Sequence, residues 1–176
     1  MDEVSSRLVV AIVFLLWIVI GLSGYFNVAN TNNNSSTEYS ISDSHFKIYD
    51  WWLISSDSTN NSLIFDNQFP TNFESKTITL CVTQYANESM FESELQSSDS
   101  SLDRIVIKDE NMTIGGINVK FINCTNTNGT KTFQNYYFQK NNKYYSINVK
   151  YWTYPLNELY DNAVKITVEL IISTIN

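Results

Sequence analysis

The stretch TFQNYYFQKNNKYYSINVKYW, residues 132–152, decides the fold. Two runs with strand-like spacing flank Asn141-Asn142, a dipeptide that tolerates the backbone of a two-residue hairpin loop. With those two residues as the loop, the strands run Lys131–Lys140 and Lys143–Trp152. Phe138 then falls opposite Tyr145, Tyr136 opposite Ile147 and Gln134 opposite Val149. Successive strand side chains point to opposite faces, so these six share one face while Phe133, Tyr137 and Tyr144 share the other. A hairpin that is apolar on both faces needs cover on both, which implies a layered domain with the sheet inside.

Working upstream, Arg104–Ile114 and Ile117–Thr125 read as a second hairpin joined at Gly115-Gly116, where glycine accepts a positive φ. Asn128-Gly129 marks the turn between the two hairpins. Thr77–Tyr85 alternates, with Ile78, Leu80 and Val82 on one side and Thr79, Cys81 and Thr83 on the other. Ser62–Phe65 and His45–Tyr49 are shorter strands, the latter ending in the aromatic corner Asp50-Trp51-Trp52. Met90, Phe91, Leu95 and Leu102 give Glu88–Leu102 an amphipathic helical pattern. Downstream, Pro155 suits the first turn of a closing helix, Leu156–Ile175. Its expected apolar stripe is Leu156, Leu159, Tyr160, Ala163, Ile166, Leu170 and Ile171. The class is therefore α+β: an antiparallel sheet of about six strands, with a C-terminal helix and a shorter middle helix packed on it.

Four features carry a resemblance: FKIYDWW (46–52), TIGGINV (113–119), YYFQKNNKYYSINV (136–149) and the amphipathic C-terminal helix. In these the chain resembles the PsbP-like α/β/α sandwich family over roughly residues 45–175. It is also similar to uncharacterised membrane-anchored proteins of methanogenic archaea. Where that family has Gly or Pro before the tryptophan, this chain has Tyr49-Asp50. The family includes photosystem accessory subunits and a small-GTPase-binding protein and has no shared active site. The resemblance therefore implies a fold and assigns no functional residue.

Ahead of this domain, Leu8–Phe26 (LVVAIVFLLWIVIGLSGYF) contains no charged residue. As a helix it rises about 28 Å, close to the ~30 Å of a hydrocarbon core. Gly21-Leu22-Ser23 and Val28-Ala29-Asn30 are poor cleavage sites, so the segment reads as a retained signal-anchor rather than a removed leader. Arg7 precedes it and no Lys or Arg follows until Lys47. The positive-inside rule then leaves residues 1–26 as a single-pass anchor with a cytoplasmic N-terminus. Asn27–Ser44, rich in Asn, Ser and Thr, reads as a polar flexible stalk, and 45–176 as an extracytoplasmic domain.

A net charge of −7 argues against a nucleic-acid partner. Catalytic groups are sparse. The sole histidine, His45, sits beside Asp43 and Ser44, but neighbours on an extended chain point apart and cannot converge on one proton. No catalytic, cofactor or metal residues are assigned. The acidic residues Asp99, Asp103, Asp109 and Glu110 lack calcium-loop spacing and read as a solvated face. Cys81 and Cys124 are a candidate disulfide, because an exported domain can keep one. Asn34, Asn60, Asn87, Asn111 and Asn128 are accessible-looking glycosylation sequons; Asn33 and Asn123 also fit the pattern. Trp51, Trp52, Tyr137 and Tyr144 form a candidate aromatic surface for a glycan or protein partner, against which stands a plain role in the core. The functional expectation is a membrane-anchored, non-catalytic binding or accessory module. The alternatives are an envelope hydrolase with an acid pair and a scaffold subunit of a membrane complex.

Overall fold

The computed structural model describes residues 35–67, 78–100, 103–152 and 158–176. The anchor Leu8–Phe26, Asn34 and Pro155 lie outside them. Among the described residues no helix is long and apolar enough to cross a membrane. Ser36–Asn176 forms one compact unit.

The elements are β1 (Ser36–Ile41), β2 (Ser44–Tyr49), β3 (Trp52–Ile54), β4 (Ser62–Asn67), β5 (Ile78–Tyr85), α1 (Glu88–Ser100), β6 (Arg104–Ile114), β7 (Ile117–Asn126), β8 (Thr132–Lys140), β9 (Lys143–Tyr151) and α2 (Glu158–Thr174). β1 and β2 form a two-stranded ribbon. The other seven strands make one sheet in the order β3-β4-β5-β9-β8-β7-β6, every described pairing antiparallel. The sheet has seven strands instead of about six because Trp52–Ile54, which begins at the last residue of the expected aromatic corner, pairs with β4 as a short edge strand.

The deciding hairpin has the expected register: Phe138 faces Tyr145, Tyr136 faces Ile147 and Gln134 faces Val149. Asn141 and Asn142 both adopt positive φ, 53° and 60°, as do Gly115 and Gly116 at 56° and 80°. Those loops fit the right-handed twist of the strands they join. After β5 the chain passes through α1 to the far edge, and β6–β9 return as a meander until β9 pairs with β5.

Both faces are covered. On one, Val164, Val168, Ile171 and Ile172 of α2 and Ile175 beyond it join Val119, Phe121, Tyr136, Phe138, Tyr145, Ile147 and Val149 in the main core. On the other, Phe91 of α1 meets Ile122 and Tyr137, flanked by Tyr85, Leu95 and Tyr144. The buried stripe of α2 departs from the expected one. It runs through Val164, Thr167, Val168, Ile171 and Ile172, while Ile166 is 45% exposed. Both stripes obey helical spacing, and the shape of the sheet selects the β-branched one.

The stalk boundary is also corrected. Ser36–Ile41 lies inside the expected stalk, yet it pairs along its whole length with β2. Ile41 is fully buried beside Phe46 and Ile48, and Tyr39 meets Phe65 edge-on at 5.0 Å. Tyr39 and Ile41 supply the alternation that polar neighbours mask, so the domain begins at Ser36.

Candidate functional site

Between α2 and strands β6–β8 lies a cleft of about 950 Å³. Its apolar part is Met112, Ile114, Phe121 and Val168, and its rim carries Lys108, Glu110, Lys165 and Glu169. Such a volume suits a small ligand.

The polar part is a connected network. Gln134 is buried on β8. Its Nε2 donates to Asp161 Oδ1 at 2.8 Å, while its Oε1 accepts from Tyr136 at 3.1 Å and from Tyr151 at 3.2 Å. The same Tyr151 hydroxyl lies 3.3 Å from Asp161 Oδ1, so its one proton is shared between the two acceptors. Lys165, one helical turn on, pairs with Asp161 Oδ2 at 2.8 Å. Burial would raise the Asp161 pKa, but the hydrogen bonds from Lys165, Gln134 and Tyr151 outweigh it and hold the carboxyl below its ordinary value. Burial, reinforced by the Asp161 charge, pushes the Tyr136 and Tyr151 hydroxyls well above theirs. Both phenols therefore stay protonated and act as donors at neutral pH. Asn123, also on the cleft wall, has a buried Oδ1 with no hydrogen-bond donor among the described residues. A buried acceptor without a partner carries a desolvation cost of about 1–3 kcal/mol, which a ligand donor would relieve.

The four residues expected to form an aromatic surface do not come together. Trp52 is 1% exposed in the main core, its Nε1 donating to Thr167 Oγ1 at 3.1 Å. Tyr137 is 2% exposed on the opposite face of the sheet, under Phe91 at 6.0 Å. Trp51 stacks on Tyr49 at 4.3 Å, and half-buried Tyr144 packs against Phe91 at 5.3 Å. Strand alternation and the closure of each face by a helix divide these rings between two cores.

Cys81 and Cys124 are not bridged to each other, so the candidate disulfide is corrected as well. They lie on β5 and β7, which β9 and β8 separate. Three strand steps span about 14 Å, twice the Cα separation a disulfide can bridge. His45 is exposed, its Nδ1 3.0 Å from Ser40 Oγ and its backbone tied to Asn176. In the acidic group, Asp109 pairs with Lys120 and Glu110 with Lys108 at 2.6 Å. No three metal-ligating side chains converge among the described residues. Asn60, Asn87, Asn111 and Asn128 are all exposed, although Asn87 Oδ1 accepts from the Met90 amide at 3.0 Å as the N-cap of α1.

Gln134, Asn123 and Asp161 are the site residues that sequence reasoning misses. Gln134 is the one with a visible signal, a polar residue in an otherwise apolar strand face. Asn123 and Asp161 come to it only through the β7–β8 pairing and the docking of α2.

No protein-family model and no curated protein matches the chain. Solved structures do. The chain is similar to a Pseudomonas aeruginosa protein of unknown function, at 13% identity over 77% of this chain and 95% of that one, with a TM-score of 0.51. The fold is shared. A cyanobacterial PsbP from Synechocystis is 11% identical over 84% of this chain and 95% of that one, with a TM-score of 0.49.

Proposed function

We propose that the chain is a membrane-anchored, extracytoplasmic binding or accessory module of the PsbP-like kind, tethered by Leu8–Phe26 as in the archaeal proteins it resembles. Its ligand site is the cleft beside α2, and the ligand class is a neutral saccharide unit. One observation carries this reading: the cleft offers an unsatisfied amide oxygen (Asn123) beside an aromatic wall (Phe121, Tyr136) and fixed polar groups. Sugars present hydroxyl donors and apolar CH faces that match such a wall.

A second reading, an envelope hydrolase, is favoured by the three carboxylates Glu110, Asp161 and Glu169 at the same cleft. Asp161 is poorly suited to it, since its ion pair and hydrogen bonds favour the ionised form over a proton donor.

Two measurements test the proposal. Alkaline carbonate extraction and protease treatment of sealed cells should leave the chain in the membrane and expose its C-terminal domain; a fully protected domain would refute the topology. Calorimetric titration of the full chain in nanodiscs with neutral oligosaccharides should give binding that Asn123→Leu weakens at least about tenfold, the equivalent of one lost hydrogen bond and a filled subsite. Unchanged affinity in that variant would remove the cleft from the reading. Turnover of the same saccharides that Glu169→Gln abolishes would replace binding by hydrolysis.

A further inference from the structure

At one end of the α1-covered face, three cations and two aromatic rings form an alternating stack. The Arg104 guanidinium lies 4.4 Å from the Phe133 centroid. Lys150 Nζ is 3.6 Å from the Trp152 centroid and 5.9 Å from that of Phe133. Lys131 Nζ lies 5.1 Å from Trp152.

Strand register explains the assembly. Lys150 pairs with Phe133, and Arg104 pairs with Asn126, whose amide donates to the Lys131 carbonyl. Residues from β6, from β8 with Lys131 just before it, and from β9 with Trp152 just after it are thus brought to one corner. Trp152 is held by its Nε1 donating to Thr79 at 3.1 Å.

In a chain of net charge −7, this corner is the exception. Among the described residues the lysines in ion pairs are Lys108, Lys120, Lys143 and Lys165. Arg104, Lys131 and Lys150 have no carboxylate partner there. Partial burial, and then the charges of Lys131 and Arg104, lower the Lys150 pKa. An anion would relieve that mutual repulsion.

The corner also exposes apolar surface. Trp152 is 41% exposed, and on the adjoining edge strand Val106 is 41% and the bulge residue Ile107 60% exposed. Cations beside an exposed tryptophan and aliphatic side chains are the composition of a membrane-interface contact.

We propose that the Arg104–Phe133–Lys150–Trp152–Lys131 corner is a membrane-contact rim that takes the phosphates of anionic phospholipid headgroups, with Trp152 and Val106 at the interface. The proposal stands on the charge and exposure of the corner and holds whether or not the tethered reading does.

The test uses the full chain in vesicles of phosphatidylcholine, with or without phosphatidylglycerol, carrying a headgroup-level nitroxide quencher. The Trp152 signal is the difference between wild type and Trp152→Phe. Quenching should appear with phosphatidylglycerol, weaken several-fold in neutral vesicles, and fade in molar salt, where the screening length is about 3 Å. Arg104→Gln and Lys131→Gln should each lower the apparent affinity about fivefold, with an unchanged near-ultraviolet spectrum showing that the fold is kept. Equal quenching in both vesicle types, or indifference to salt and to both variants, overturns the proposal. So does binding of inorganic phosphate or soluble polygalacturonate at these residues without vesicle contact. Carbonate extraction reads the tether separately. A chain that washes off but still meets anionic vesicles through Trp152 loses the tether and keeps the rim.

Discussion

Gln134→Leu is the sharpest probe of the network under the cleft. The substitution keeps the approximate volume of a side chain that is 5% exposed and removes three hydrogen bonds. Tyr151 keeps its bond to Asp161 at 3.3 Å. Tyr136, 4% exposed, donates to Gln134 alone and is left with a buried hydroxyl that nothing accepts. That orphan costs about 1–3 kcal/mol. The bond to Asp161 is charge-assisted, but Lys165 remains beside that half-buried carboxylate, so its loss adds about 1 kcal/mol after allowance for solvent. The apolar leucine returns part of this, leaving a net destabilisation of about 2–3 kcal/mol. Urea unfolding of the full chain, followed by near-ultraviolet circular dichroism, should show the midpoint falling by about 1–2 M. The decisive comparison is the double variant. Adding Tyr136→Phe deletes the stranded hydroxyl, so Gln134→Leu/Tyr136→Phe should recover about 1–2 kcal/mol relative to Gln134→Leu. A double variant no more stable than the single one refutes the network as drawn.

Other consequences are equally direct. Asp161 has a folded pKa below its ordinary value, so its stabilisation is complete above the unfolded value near 4 and drains away as pH falls through the lower folded one. Asp161→Asn should flatten that acid limb of the stability profile and leave the slope above about pH 5 alone. Trp52→Phe, which vacates core volume and strands no donor, should cost about 1–3 kcal/mol in the same urea assay, and Trp52→Ala about 3–5 kcal/mol. The separation of Cys81 from Cys124 predicts two thiols titratable on unfolding without reductant, and an unfolding midpoint indifferent to reductant. A midpoint that drops when reductant is added would restore the bridge.

The parts of this protein that were legible in its sequence are those set by short-range rules. Residues 132–152 gave the hairpin and its register because the pleat has a period of two and Asn141-Asn142 accept positive φ. Two apolar faces on one hairpin required cover on both, and α1 and α2 provide it. By itself the sequence determined an α+β class, an antiparallel sheet and the positions of most elements. Tertiary structure decided which strands become neighbours, and that decision made and unmade the candidate sites. Placing β9 between β5 and β8 put Cys81 and Cys124 three strands apart. The covering of each face by its own helix divided Trp52 from Tyr137, and the order β9-β8-β7-β6 gathered Arg104, Lys131, Lys150 and Trp152 at one corner. α2 likewise chose its buried stripe on docking and carried Asp161 to Gln134. The physical reason is range: dihedral preference and side-chain alternation act over a few residues, whereas strand order follows from burying both faces of the whole sheet at once.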